Sequence, residues 1–188
     1  MKERIKVLAI ACSSFNRETQ QQVPIIAVVY RGGELLEGVM QTKVEVDGED
    51  ATKKIIQLLE QTPHKQQIQM ILTRGLILAG FNYIDMKILN EKTSLPIIAV
   101  VDHKPDMESI KTAIKNVSNW EKRYEKLTQI TNLRQVQTSE KEQPVYVQSI
   151  GLPEKEIDRF LGKITNTGRM PEPLRVARLI ATAEKYNC

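Results

Sequence analysis

From Ile5 to Cys12 apolar residues follow one another almost without interruption, the mark of a strand covered on both faces in a parallel or mixed sheet. Pro24–Tyr30 repeats the pattern with β-branched enrichment, and Leu35–Val46 supplies a third strand in which Gly38 marks a bulge. The polar Ser13–Gln22 is a loop between the first two strands, and Arg31-Gly32-Gly33 is a hairpin turn between the second and third. The period then changes. Asp47–Asp50 is an acidic loop of cap-forming residues, and Ala51–Gln61 spaces its apolar residues as a helix does. Beyond Pro63, strands at Ile68–Thr73 and Pro96–Asp102 flank a helix at Tyr83–Glu91, which implies right-handed β-α-β crossovers. Further helices are predicted from Met107 to Lys115, over Glu154–Ile164 and over Glu172–Tyr186, with a short strand at Pro144–Ile150. The polar stretch Thr128–Gln143 reads as a loop or a lid.

The 188 residues, 41% of them hydrophobic, suffice for one sizeable core, so a single domain spanning 1–188 is expected. Net charge is +4, a mild excess that would steer phosphate-bearing partners without demanding them. Cys12 and Cys188 form neither a metal pattern nor a disulfide framework, which fits a reducing, cytoplasmic setting. Met1–Val7 passes from charges into an apolar run too short for a signal peptide, and no stretch approaches the roughly 20 apolar residues of a membrane span, so no membrane partner is expected. The chain has no P-loop, no Gly-x-Gly-x-x-Gly after its first strand and no Gly-x-Ser-x-Gly elbow. Its two histidines, His64 and His103, fall in surface loops, which argues against a histidine-centred hydrolase or a zinc site. Cys12 reads as a small buried hydrophobe, with no base nearby in sequence to activate it or Ser13.

Three segments together resemble one family: Val46-Asp-Gly-Glu-Asp-Ala-Thr52, Gly75-Leu-Ile-Leu-Ala-Gly-Phe-Asn82 with Asp85 beyond it, and Pro171-Glu-Pro-Leu-Arg-Val-Ala177. Order and spacing agree over most of the chain, including Lys104-Pro105-Asp106 and Trp120-Glu-Lys-Arg123. The resemblance is to uncharacterised archaeal proteins that are endonuclease-V-like, and it implies an α/β fold of the ribonuclease-H type. That fold is a mixed five-stranded sheet flanked by helices, here with an extra short C-terminal strand. It also implies a site in which acids after the first strand, in the acidic segment and after the fourth strand gather divalent metal to activate water against a phosphodiester.

This chain departs from that pattern. Where the family resembles Ile-Asp-Asp-Gly-Pro-Phe, the chain reads Ile10-Ala11-Cys12-Ser13-Ser14-Phe15; where the family has Leu-Asp-Gly, it reads Thr73-Arg74-Gly75. Arg178 stands where the family often has histidine. Asp47, Asp50 and Glu172 remain as weak metal candidates, although Asp47-Gly48 also reads as a turn and Asp50 as a helix N-cap.

A guanidinium binds phosphate bidentately without metal. Arg74, Arg169, Arg175 and Arg178 are therefore candidate ligand residues, with Arg175 and Arg178 on one helical face. The competing account pairs Arg74 with Asp47, Asp50 or Glu172 in an inert ion-pair network. Trp120-Glu-Lys-Arg-Tyr-Glu-Lys-Leu127 reads either as a solvated helix with internal ion pairs or as a base-stacking, phosphate-tracking face. The expectation is a catalytically impaired, endonuclease-V-like protein that binds nucleic acid or another phosphate-bearing ligand in a metal-poor cleft. No cofactor is expected in that case. Two alternatives stand beside it: a nuclease using the residual acids with magnesium or manganese, and a protein-interaction module.

Overall fold

β1 (Lys6–Cys12) is buried at every residue between its two ends because it lies at the middle of a sheet packed on both sides. In the computed structural model, which describes residues 5–128 and 132–184, it pairs antiparallel with β2 (Gln22–Arg31) and parallel with β4 (Ile68–Thr73). β2 in turn pairs antiparallel with β3 (Leu35–Glu45). The bulge expected at Gly38 falls beside it: Gly38 faces Val29 and Leu36 faces Tyr30, so Glu37 is the extra residue. Its carboxylate takes Lys6 and Arg31.

On the other side of β4 lie β7 (Ile97–Val101), parallel to it, then β9 (Val145–Ile150) and β8 (Arg134–Val136), both antiparallel to their neighbours. The order is β3-β2-β1-β4-β7-β9-β8. The five expected strands and the expected extra strand, here β9, all lie in the sheet, and β8 is added beyond β9 as the seventh. β8 sits inside the stretch read as a loop or lid. Of its described part, Thr128 ends α4, Arg134–Val136 is an edge strand and the rest is neither helix nor strand, Gln129 to Thr131 lying outside the described residues.

Two apolar layers follow from the alternation along the strands. Leu8, Ile10 and Ile71 point to the side covered by α1 (Ala51–Gln61), α2 (Met86–Thr93), α3 (Met107–Ile114) and α4 (Trp120–Thr128). Val7, Ala9, Ala11 and Leu72 point to α5 (Glu154–Lys163) and α6 (Glu172–Ala183). α6 starts at Pro171 with Pro173 in its first turn, where a missing N–H costs nothing. Of the expected Glu172–Tyr186 helix, the last residues, Cys188 with them, lie outside the described residues.

α2 begins three residues later than the expected helix, at Met86. Tyr83 belongs instead to a two-residue strand, β6 (Asn82–Tyr83), paired with β5 (Ile77–Leu78), and Asp85 caps the helix by accepting from the Ile88 N–H at 3.0 Å. Among the described residues no helix is long and apolar enough to cross a membrane.

Candidate functional site

β1, β4 and β7 run parallel, so their carboxyl ends come out on one edge of the sheet, where ligands collect in open α/β folds. The residues just past those ends are Ser13, Arg74 and Asp102. The backbone of Arg74 is fixed from both sides: its N–H donates to the Ile10 carbonyl at 3.2 Å, and the Gly75 N–H to the Val100 carbonyl at 3.1 Å. Gly75 holds a φ of +77°, a left-handed turn that takes the chain off the strand at once.

From that position the Arg74 guanidinium reaches Asp102, Nη2 donating to Oδ2 at 2.5 Å. Arg169 approaches the other carboxylate oxygen at 3.6 Å and stands 3.3 Å from His103 Nε2. Asp102 is therefore shared by two guanidiniums. Arg178, on α6, donates from Nη1 to the Cys12 carbonyl at 2.8 Å, while Ser13 Oγ donates to the Ala181 carbonyl at 2.6 Å and ties the end of α6 to the end of β1. Among the described residues Arg178 makes no ion pair. Burial pushes the Cys12 thiol up, against smaller opposing pulls from the Ala79 backbone and Arg178, so it is held protonated rather than activated.

The acidic segment closes the other flank. Asp47 and Ala79 both have positive φ, 52° and 42°, and the Asp47 N–H donates to the Ala79 carbonyl at 2.9 Å. Asp47 Oδ1 accepts from the Phe81 N–H at 2.9 Å and from Arg17 Nη2 at 3.0 Å, and the Arg17 guanidinium lies 5.5 Å from the centre of the Phe81 ring. A Cβ at Gly80 would stand 2.2 Å from Asp47 Oδ1, so only glycine admits this approach.

Asp50 occupies the N-cap position of α1 but its side chain does not cap. Asn82 does so from across the fold, accepting from the Ala51 N–H at 3.0 Å while its amide donates to the Glu45 carbonyl and to Asp50 Oδ1. Two of the three segments that carry the resemblance, Val46–Thr52 and Gly75–Asn82, are thus fastened to each other. Asp50 and Asp47 are largely committed to that fastening.

Glu172 and Arg175 are elsewhere. Arg175 donates twice to Glu172, at 2.7 and 2.6 Å, and both charges act on Tyr30, which is paired with Val7 at the start of β1. The pair therefore lies toward the opposite end of the strand from Arg178, and the expectation that Arg175 shares the cleft is corrected by the ion pair that holds it. Hydrogen bonding from Arg175 keeps the Glu172 carboxyl below its usual value of about 4.5, burial opposing. A folded-state pKa below the unfolded one adds stability that is present above pH 4.5 and lost as pH falls through the folded value. Glu172→Gln is accordingly expected to cost about 1 kcal/mol at pH 7 and progressively less as pH falls through the folded value, measured as the difference in melting temperature from wild type along an acid series.

Of the sequence candidates, the fold brings Cys12, Asp47, Arg74, Arg169 and Arg178 to one edge. Ala11 is wholly buried beside α6 and contributes no functional group. Asp102 and Arg17 were not among the sequence candidates, His103 reads in the sequence as a surface-loop residue, and the partner of Arg74 is Asp102 rather than the expected Asp47, Asp50 or Glu172. Asp102 was findable: of the residues just past β1, β4 and β7 it is the one acid. Arg17 sits in a polar loop with no periodic signal.

The donors do not fit a divalent metal centre. Among the described residues no three His, Cys, Asp or Glu side chains form a group able to hold one, and the two carboxylates at the edge are already engaged by arginines. Hard cations require several free oxygen ligands.

A chain of this description has relatives. A protein of unknown function from Archaeoglobus fulgidus superposes with a TM-score of 0.82 at 30% identity, over 96% of this chain and 98% of that one. Endonuclease V of Ciona intestinalis, in complex with a 24mer DNA containing an inosine followed by a ribo-adenosine, gives 0.67 at 16% identity over 98% and 87%. That likeness makes the ribonuclease-H-like, endonuclease-V-type fold plain. In sequence, a UPF0215 protein of Methanothermobacter thermautotrophicus is 36% identical over 97% of this chain and 88% of its own length. The family profile described as endonuclease dU matches residues 3–184, and the chain belongs to that endonuclease-V-like family.

Proposed function

We propose that this protein binds a nucleic-acid strand by its phosphates at the carboxyl edge of β1, β4 and β7, without a resident divalent metal and without efficient strand cleavage. The observation that carries this reading is how four arginines at that edge are engaged: Arg17 pairs with Asp47, Arg74 and Arg169 share Asp102, and Arg178 is held by the Cys12 carbonyl. Four guanidiniums and two carboxylates in these contacts leave an excess of positive charge that an anion can complete. Arginine forks match phosphate geometry and remain charged at every working pH.

Nucleic acid is favoured among phosphate-bearing ligands by the company the fold keeps. The family profile is described as endonuclease dU, and the structurally similar endonuclease V is in complex with an inosine-containing DNA. A nuclease using Asp47, Asp50 and Glu172 receives less support, because Glu172 sits toward the other end of the sheet and Asp50 is occupied by Asn82.

The test is fluorescence anisotropy with labelled single-stranded and duplex DNA and RNA, including strands with one deoxyuridine or one deoxyinosine, in chelator and over a range of salt. Wild type is expected to bind metal-free, and Arg74→Ala/Arg178→Ala is expected to weaken binding about tenfold or more and flatten the salt dependence by about 1.4 in log–log slope. Wild-type binding that the double substitution leaves unchanged would overturn the assignment. Cleavage of the deoxyuridine strand on adding manganese, abolished by Asp47→Asn, would restore the nuclease reading.

A further inference from the structure

Beside the arginine edge a groove of about 580 Å³ opens between α1, α2 and α4. Its floor is apolar: Ile56 from α1, Phe81, Tyr83 and Ile88. Ile88 is 45% exposed, an unusual position for an isoleucine on a helix that buries Met86 and Leu89. The rim is basic. Lys53 of α1, Lys92 of α2, and Lys122 and Lys126 of α4 all line it, all four are exposed, and none is in an ion pair among the described residues. The acids of the groove are differently placed. Glu49 lies 3.5 Å from Arg123, and Asp85 is turned to its cap on α2, which leaves Glu60 against the lysines.

The groove meets the arginine edge at Phe81 and Arg123. Phe81 lines the groove, donates its N–H to Asp47 and lies under the Arg17 guanidinium. Arg123 joins the two from the other side, donating to the Gly48 carbonyl at 2.9 Å. A ligand that leaves the edge past Arg17 meets the groove next.

We infer that this groove holds the strand flanking the arginine-bound phosphates, with an unpaired base laid on Tyr83 and Ile88 and the neighbouring phosphates on Lys122 and Lys126; the inference rests on the reading of the edge as a nucleic-acid site. The chemistry is that of sequence-tolerant single-strand binding, in which aromatic and apolar surface takes the base face and mobile ammonium groups follow the backbone. The volume lies in the range of pockets that enclose one nucleotide-sized group. A duplex cannot use the floor, since its bases are stacked inside, so the groove selects single-stranded over paired flanks. In α4, Trp120 lies under Lys115, the C-cap of α3, and Tyr124 under Lys111 of α3, Arg123 pairs with Glu49, and Lys122 and Lys126 line the groove.

The experiment compares wild type, Lys122→Gln/Lys126→Gln and Arg74→Ala/Arg178→Ala on single-stranded oligonucleotides of increasing length. It adds a strand carrying 5-bromouridine at each position in turn for photocrosslinking. These lysines are exposed, so the glutamine variant is expected to melt as wild type does. It should bind long strands about tenfold more weakly, with a salt slope lower by about 1.4, yet bind the shortest strand unchanged. The crosslink should map to the peptide containing Tyr83 at one flanking position. Equal affinity of wild type and the glutamine variant at every length, with the arginine variant impaired, overturns the groove and leaves the edge standing. Absence of strand binding by wild type overturns the edge and the groove together.

Discussion

Asn82→Ala is expected to lower the unfolding free energy by about 3 kcal/mol, the largest loss of stability from any single polar side chain near the site. Asn82 is wholly buried. Its amide oxygen takes the Ala51 N–H, and its nitrogen serves the Glu45 carbonyl at 2.9 Å and Asp50 Oδ1 at 2.6 Å. Alanine leaves the buried Ala51 N–H with no acceptor at the start of α1, a cost of about 1–3 kcal/mol, and adds a small cavity. The Asp50 carboxylate and the Glu45 carbonyl are nearer to water and recover part of their loss by hydration. Asn82→Asp is informative beside it, since the carboxylate keeps the acceptor but sets a like charge against Asp50 and is expected to destabilise comparably. Urea denaturation reads both, as a midpoint shift at constant slope. A loss below about 1 kcal/mol for the alanine variant would mean that water enters and caps α1 in its place. Because the same amide holds the Asp47–Asp50 loop to the β5–β6 turn, strand affinity is expected to fall with stability in both variants.

That role marks the boundary of what the sequence reveals. Strand and helix positions are legible because burial on two faces leaves a continuous apolar run, as in Ile5–Cys12, and burial on one face leaves the helical spacing of Ala51–Gln61. β8 is not legible: Arg134-Gln135-Val136 is three residues long, alternates only once, and becomes a strand because β9 offers an open edge. Tyr83 looks helical for a similar reason, since two residues of β6 cannot outweigh the periodic stretch that follows.

At the site, the departures from the family pattern at Ala11, Cys12 and Arg74 stand in the text of the sequence itself, but the partners of the charges do not. Arg74 and Asp102 are 28 residues apart and meet because β4 and β7 are parallel neighbours. Arg175 and Arg178 look equivalent on one helical face. They separate because α6 runs along β1, so that three residues of rise carry one toward Tyr30 and the other to Cys12. Asp50 was readable as a cap from its place before the helix, yet the cap comes from Asn82, 31 residues beyond the amide it serves.

The second large effect is a gain. Asp102→Asn is expected to tighten binding of single-stranded nucleic acid about tenfold at low salt and to steepen the salt dependence by up to 1.4, roughly two further phosphate contacts on a single strand. Asp102 is the intramolecular competitor for a phosphate: its oxygens lie 2.5 Å from Arg74 and 3.6 Å from Arg169. Its side chain is only 25% exposed, so a ligand must displace a partly desolvated carboxylate to use both arginines. Asparagine keeps the size and one acceptor while removing the charge, which frees the guanidiniums without collapsing the edge. An ion pair this close to solvent contributes only about 1 kcal/mol to folding, so the variant should melt within a few degrees of wild type. Anisotropy and thermal melting on the same preparation therefore separate two roles for Arg74. Tighter binding with little change in melting makes Asp102 a gate on a phosphate site. Unchanged binding with a melting temperature many degrees lower makes Arg74–Asp102–Arg169 a structural clasp, and moves the weight of evidence to an interaction module whose cleft is closed by its own charges.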